Sequence, residues 1–111
     1  MDISTCQHQD LASGRWVTLS FAEQMGNIGS EVSRSIKNIN RPERFQGAFN
    51  RALELFDLTI EAHLDDGTKL RELCRAREEF CDYFVGGNIW HTDPVCMQRY
   101  YDHFVTLRSP R

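Results

Sequence analysis

Four histidines, four cysteines and a scatter of carboxylates are the side chains here that could do chemistry, and their spacing argues against most of it. Nucleophilic catalysis needs a base beside a nucleophile, and His8, His63, His91 and His103 stand beside no recognisable signature. A di-metal site in a helical bundle takes Glu-x-x-His pairs, with both ligands on one face. Glu61-Ala62-His63 is too tightly spaced for that, and Asp102 and His103 are adjacent. Cys6-Gln7-His8 looks like a fragment of a zinc site but has no second spaced pair. Neither a metal nor another cofactor is expected.

Cys6, Cys74, Cys81 and Cys96 make an even count, which invites a disulfide reading. The polar start, Met1 to Asp10, lacks the apolar run of a secretory signal, so reduced thiols and a cytoplasmic location are expected. Cys74 and Cys81 lie seven residues apart in one expected helix, about 10 Å along its axis and too far for a bridge. Both are placed on its apolar face as buried free thiols. A Cys74–Cys96 bridge is geometrically open but not expected in cytosol.

One pair keeps an enzymatic alternative open. Arg99-Tyr100-Tyr101-Asp102-His103 resembles the arginine–histidine signature of the HEPN class of helical ribonucleases, which this chain also resembles in size and helical content. That class separates the two residues by a longer stretch. The resemblance implies an RNA-cleaving site built on Arg99 and His103. The residues themselves also read as an exposed arginine and an edge histidine. Arg99, Arg108 and Arg111 with Tyr100 and Tyr101 give a weak basic-aromatic patch diluted by acids, and nucleic acid is not the expected partner.

What must position these groups is a helical body. The chain has 111 residues, 41% of them hydrophobic and 26% charged, with a net charge of −3. That is one ordinary domain, with enough apolar mass to offset its ordering entropy and no run of about 18 uncharged residues to span a membrane. Residues 1–18 lack a helical period and are expected to form a mobile arm, with Trp16, Val17 and Leu19 docking its end. Ser20 and Glu23 form a capping box that opens a helix over 20–38. Phe21, Met25, Ile28, Val32, Ile36 and Ile39 are its stripe. Gly26, Gly29, Ser30 and Ser33 within it predict a close crossing with another helix of the same chain, the alternative being a dimer seam. Pro42 starts a helix over 42–63, whose apolar arc exceeds half its circumference, and His63 at its C-terminal end caps or packs. After the turn Asp65–Thr68 a third helix runs over 68–85, stopped by Gly86-Gly87-Asn88. Asp93-Pro94 starts a fourth over 94–107. The fold class is all-α, a four-helix bundle with short turns and a single domain over 19–111.

Charge adds architecture. The 68–85 helix opens with Lys69, Arg71 and Arg75 and closes with Glu78, Glu79 and Asp82, against its own dipole. The preceding helix carries Arg44 and Arg51 early, then Glu54, Asp57 and Glu61. An antiparallel hairpin of the two, which the short turn requires, brings opposite charges together, with Arg44 and Arg51 approaching Glu79 and Asp82. An antiparallel homodimer of the 68–85 helix is the alternative. Arg77 falls within the stripe Leu70, Leu73, Cys74, Phe80, Cys81 and Phe84, so it is expected to be buried and paired with a carboxylate, Glu31 first. An anion site is the functional alternative.

The apolar arcs of the 42–63 and 94–107 helices exceed what a small bundle covers, which points to self-association as a dimer and to a protein partner. Leu58, Ile89, Trp90 and Tyr100 are the expected interface residues. Trp90 reads equally well as a plug beneath the loop before the last helix.

The runs Phe21–Arg34, Ala48–Ile60 and Leu70–Phe84 resemble a family of short uncharacterised bacterial proteins carried on mobile elements, including integron gene cassettes. The likeness covers residues 15–105. It implies an all-helical fold and a mobile-element origin, and no activity. The expected function is a non-catalytic interaction or regulatory module.

Overall fold

The computed structural model describes residues 14–107, and within them the chain is helical with no strand. A short turn, α1 (Trp16–Thr18), is followed by α2 (Phe21–Lys37), α3 (Pro42–Ala62), α4 (Gly67–Val85) and α5 (Pro94–Leu107). The four long helices sit within a residue of their expected bounds, because their punctuation is local chemistry. Ser20 accepts from the Glu23 amide while its own amide donates to Glu23 Oε1, closing the capping box. Pro42 occupies the first turn of α3. Asp66 caps α4 by accepting from the Lys69 amide, and Asp93 caps α5 by accepting from the Val95 amide.

α2 packs on both α3 and α5, and α3 also packs on α4 and α1. The backbones of α4 and α5 do not come together in the same way, so the four helices close imperfectly along that seam. The core between them holds Met25, Ile28, Val32, Phe49, Phe56, Leu73, Phe80, Met97, Tyr101 and Phe104. The α3–α4 hairpin is antiparallel as expected. Phe45 packs on Phe84 and Phe49 on Phe80, so ring partners descend on one helix as they climb on the other.

Three expectations need correction. The first concerns the end of the arm, where Trp16 docks as expected, 2% exposed with its indole N–H donating to Thr59 Oγ1 at 3.1 Å, while Val17 stays exposed. α1 thereby covers part of the wide arc of α3, and Leu58 is half-buried beside Trp16 instead of open for a partner. Residues 1–13, with Cys6 and His8, and 108–111, with Arg108 and Arg111, lie outside the described residues.

Second, Arg77 does not pair with Glu31. Arg77 reaches across the hairpin to Asp57 on α3 (3.0 Å), with over a third of its side chain in water. Glu31, 7% exposed, is held by Arg34 on its own helix (2.8 Å) and by Arg51 of α3 (3.3 Å). Arg51 is therefore not directed at the end of α4, where Glu79 and Asp82 take hydroxyl and amide donors instead.

The reason is rotational. At 100° per residue, the buried residues Leu73, Ala76 and Phe80 centre the core face of α4 about 60° away from the stripe centred near Arg77. Arg77 falls on the flank and runs its stem out to solvent. Cys74, the third correction, falls further round and is exposed, while Cys81 is half-buried and burial raises its thiol pKa. Arg77→Ala is accordingly expected to cost no more than about 1 kcal/mol, since exposed pairs contribute little. Glu31→Ala is expected to cost more, about 1–2 kcal/mol, because it removes the buried carboxylate that holds Arg34 and ties α2 to Arg51 of α3. Chemical denaturation of the two variants checks the order.

Candidate functional site

The rotation of α4 turns Glu72, Ala76 and Glu79 toward α5. Because α4 and α5 stay apart, these residues form one wall of a cleft of about 580 Å³. Tyr100, Met97 and Cys96 of α5 form the other wall, and residues 90–93 of the connecting loop close one end. Met97 and Ala76 are buried.

The polar groups are held in place. Tyr100 donates its hydroxyl to Glu72 Oε2 at 2.6 Å, the contact that bridges the seam. Burial and the neighbouring carboxylate push the Tyr100 pKa well up, so the phenol stays protonated and remains the donor. Thr92 donates to Glu79 Oε2 at 3.1 Å. Glu72 and Glu79 stand three before and four after Arg75 on the same helix, the spacing at which surface residues usually pair. Instead Glu72 turns to Tyr100 on the facing wall and Glu79 to Thr92 in the loop that closes the end. Among the described residues none of Glu72, Arg75, Glu79 and Asp93 forms a salt bridge.

The loop is built to present Trp90. Asp82 accepts the amides of Ile89 (3.0 Å) and Trp90 (3.1 Å), and Asn88 both accepts from the Thr92 amide and donates to the Thr92 carbonyl. Gly87, at φ +87°, makes the reversal that glycine adopts without strain. Asn88 and His91, at φ 52° and 55°, flank the tip on either side. Ile89 is 71% exposed, and Trp90, at 47%, stands at the cleft mouth. Trp90 is thus not a plug beneath the loop.

Comparison with protein-family models, curated proteins and solved structures finds no match to this chain.

Of the expected interface residues, the structure brings Trp90 and Tyr100 to one cleft, leaves Ile89 exposed outside its lining and Leu58 on the α1–α3 side. Arg99 and His103 are both exposed on α5. Arg99 lines a separate groove against α2, and the His103 ring packs edge-on against Phe104. Neither lines the α4–α5 cleft.

Sequence reading missed Glu72, Arg75, Glu79, Asp93 and Cys96 as cleft residues. The available signal was the i, i+4, i+7 run Glu72, Ala76, Glu79, which a stripe drawn through the large apolar residues passes over. No group of three or more His, Cys, Asp or Glu side chains converges as a metal-ligand set among the described residues.

His63 belongs to a different device. At the C-terminus of α3 it packs edge-on against Phe21, and its Nε2 lies 2.7 Å from Gln24 Oε1. The Gln24 amide nitrogen is already donating to the Trp16 carbonyl, so Gln24 Oε1 accepts and His63 donates from Nε2. Burial and the nearby Lys69 ammonium lower its pKa, against a smaller opposing effect of Asp66. A histidine depressed in the folded state contributes stability that is fully present above its unfolded value near 6.5 and is lost as pH falls through the folded value. Wild-type unfolding free energy is expected to drop from pH 7 toward pH 5, and His63→Gln to flatten that slope.

Proposed function

We propose that this chain is a non-catalytic binding module that engages a protein partner at the α4–α5 cleft and self-associates as a dimer. The observation that carries the reading is the exposed Ile89–Trp90 tip, fixed by Asp82 and set over a cleft whose polar groups are already oriented. Exposed aromatics in fixed settings are the usual anchors of protein contacts. The self-association half draws on Val95, Val105 and Leu107, apolar residues left exposed on α5. No helix among the described residues is long and apolar enough to cross a membrane. A cytoplasmic setting agrees with the exposed free thiols of Cys74 and Cys96. A bacterial mobile-element origin rests on the resemblance of the three helical runs.

The test uses the full chain as bait in extracts of its source cell, beside an Ile89→Ser/Trp90→Ser variant. A partner retained by the wild type and lost by the variant is expected, and light scattering is expected to give a dimer mass. A monomer at high concentration that captures nothing overturns the proposal. So does RNA cleavage that is lost in His103→Ala, which would instead support the Arg99–His103 reading.

A further inference from the structure

We infer that the α4–α5 cleft is a receptor for a basic side chain, an arginine or lysine presented by the partner protein. This rests on the binding-module reading and names the chemistry of its contact.

Charge decides the sign of the occupant. Three carboxylates, Glu72, Glu79 and Asp93, line the cleft against one guanidinium, Arg75, and none of the four is consumed in a salt bridge among the described residues. Glu72 and Glu79 decline the pairing with Arg75 that their spacing allows. One oxygen of Glu72 is held by Tyr100 on the facing wall and one of Glu79 by Thr92 at the closed end, which fixes both carboxylates within the cleft. Carboxylates held this way lose little further freedom when a cation arrives.

Shape decides the kind of cation. The carboxylates do not converge on a point as metal ligands would. A guanidinium spreads five donors over a planar fork and can meet separated acceptors, and an ammonium can do so less fully. The buried Ala76 and Met97 offer apolar surface for a methylene stem. At the mouth, the exposed indole of Trp90 is a face for a cation to stack on. A cleft of about 580 Å³ has room for one such side chain and its flanking backbone.

The experiment titrates the full chain, ¹⁵N-labelled, with N-acetyl-arginine N-methylamide and with its uncharged citrulline counterpart. The arginine probe is expected to shift amides in 72–79 and 90–100, with half-saturation at about 1–10 mM and about tenfold tighter than citrulline. Glu72→Gln/Glu79→Gln is expected to abolish that difference with an unchanged melting curve, since glutamine still accepts from Tyr100 and Thr92. Trp90→Leu should weaken the arginine response without touching the glutamates. Equal responses to the two probes, shifts centred elsewhere, or no shift over that range would sink the proposal. If partner capture through Ile89 and Trp90 survives that outcome, only the cation is wrong; if capture is lost too, the module reading falls with it.

Discussion

Trp16→Ala is expected to lower the unfolding free energy by about 3–5 kcal/mol, the range for truncating a buried aromatic. Trp16 is 2% exposed and joins the main core, although it precedes the first long helix and lies in a stretch without helical period. Its N–H bonds Thr59, its carbonyl accepts from Gln24, and Gln24 in turn accepts from His63. Removing the indole opens a cavity over α3 and frees the chain segment that covers Leu58. In a domain of this size the loss amounts to a fall in Tm of more than about 10 °C. Trp16→Phe keeps most of the volume and forgoes the Thr59 bond, so a smaller loss of about 1–2 kcal/mol is expected. Thermal melts of the three proteins check the series. A Trp16→Ala protein within about 1 kcal/mol of wild type would mean that residues 14–18 do not belong to the folded body.

That Trp16 docks follows from its type, whereas its place in the main core does not, and the contrast with the Ser20 cap lies in the range of the interactions. The capping box is settled within four residues, and so are Pro42 at the start of α3 and Asp93 before Pro94. Trp16 is buried by Thr59, forty-three positions away, and nothing in its neighbourhood announces that partner. Arg77 failed for a subtler reason. The period of α4 was legible, but its phase was set by Ala76, a small residue that faces α5 and carries little weight in an apolar pattern. An error of about 60° moved Arg77 from flank to core and moved Glu72 and Glu79 out of sight. The cleft was illegible for the same reason, since it exists where α4 and α5 fail to meet. Trp90 and Tyr100 could still be picked out by type, because aromatics dominate protein contacts whatever the packing.

Gly29 gives the second large effect, and its sign is the discriminating feature. In an isolated helix Gly→Ala stabilises by about 1 kcal/mol. Here a Cβ on Gly29 would lie 2.5 Å from the Cβ of Tyr101 and 3.3 Å from its Cγ. A Cβ is fixed to its backbone, so no rotamer change relieves the contact, and α2 and α5 must move apart. That movement also stretches the bond from Gln98 Nε2 to the Gly29 carbonyl, 3.3 Å at rest. Overpacking of a tight core costs about 1–3 kcal/mol and occasionally more. Gly29→Ala is therefore expected to destabilise by about 1–2 kcal/mol net, and Gly29→Val by at least about 3 kcal/mol, since it adds bulk without the propensity gain. Tyr101→Phe should not rescue either one, because the clash is at Cβ and not at the hydroxyl. The same measurement separates the two readings of the glycine–serine run in α2. A crossing within the chain makes the loss independent of protein concentration, whereas a dimer seam would make it grow as the protein is diluted. Denaturation of Gly29→Ala across a hundredfold range of concentration decides between them, and a stabilised variant would show that α5 does not cross α2 at this glycine.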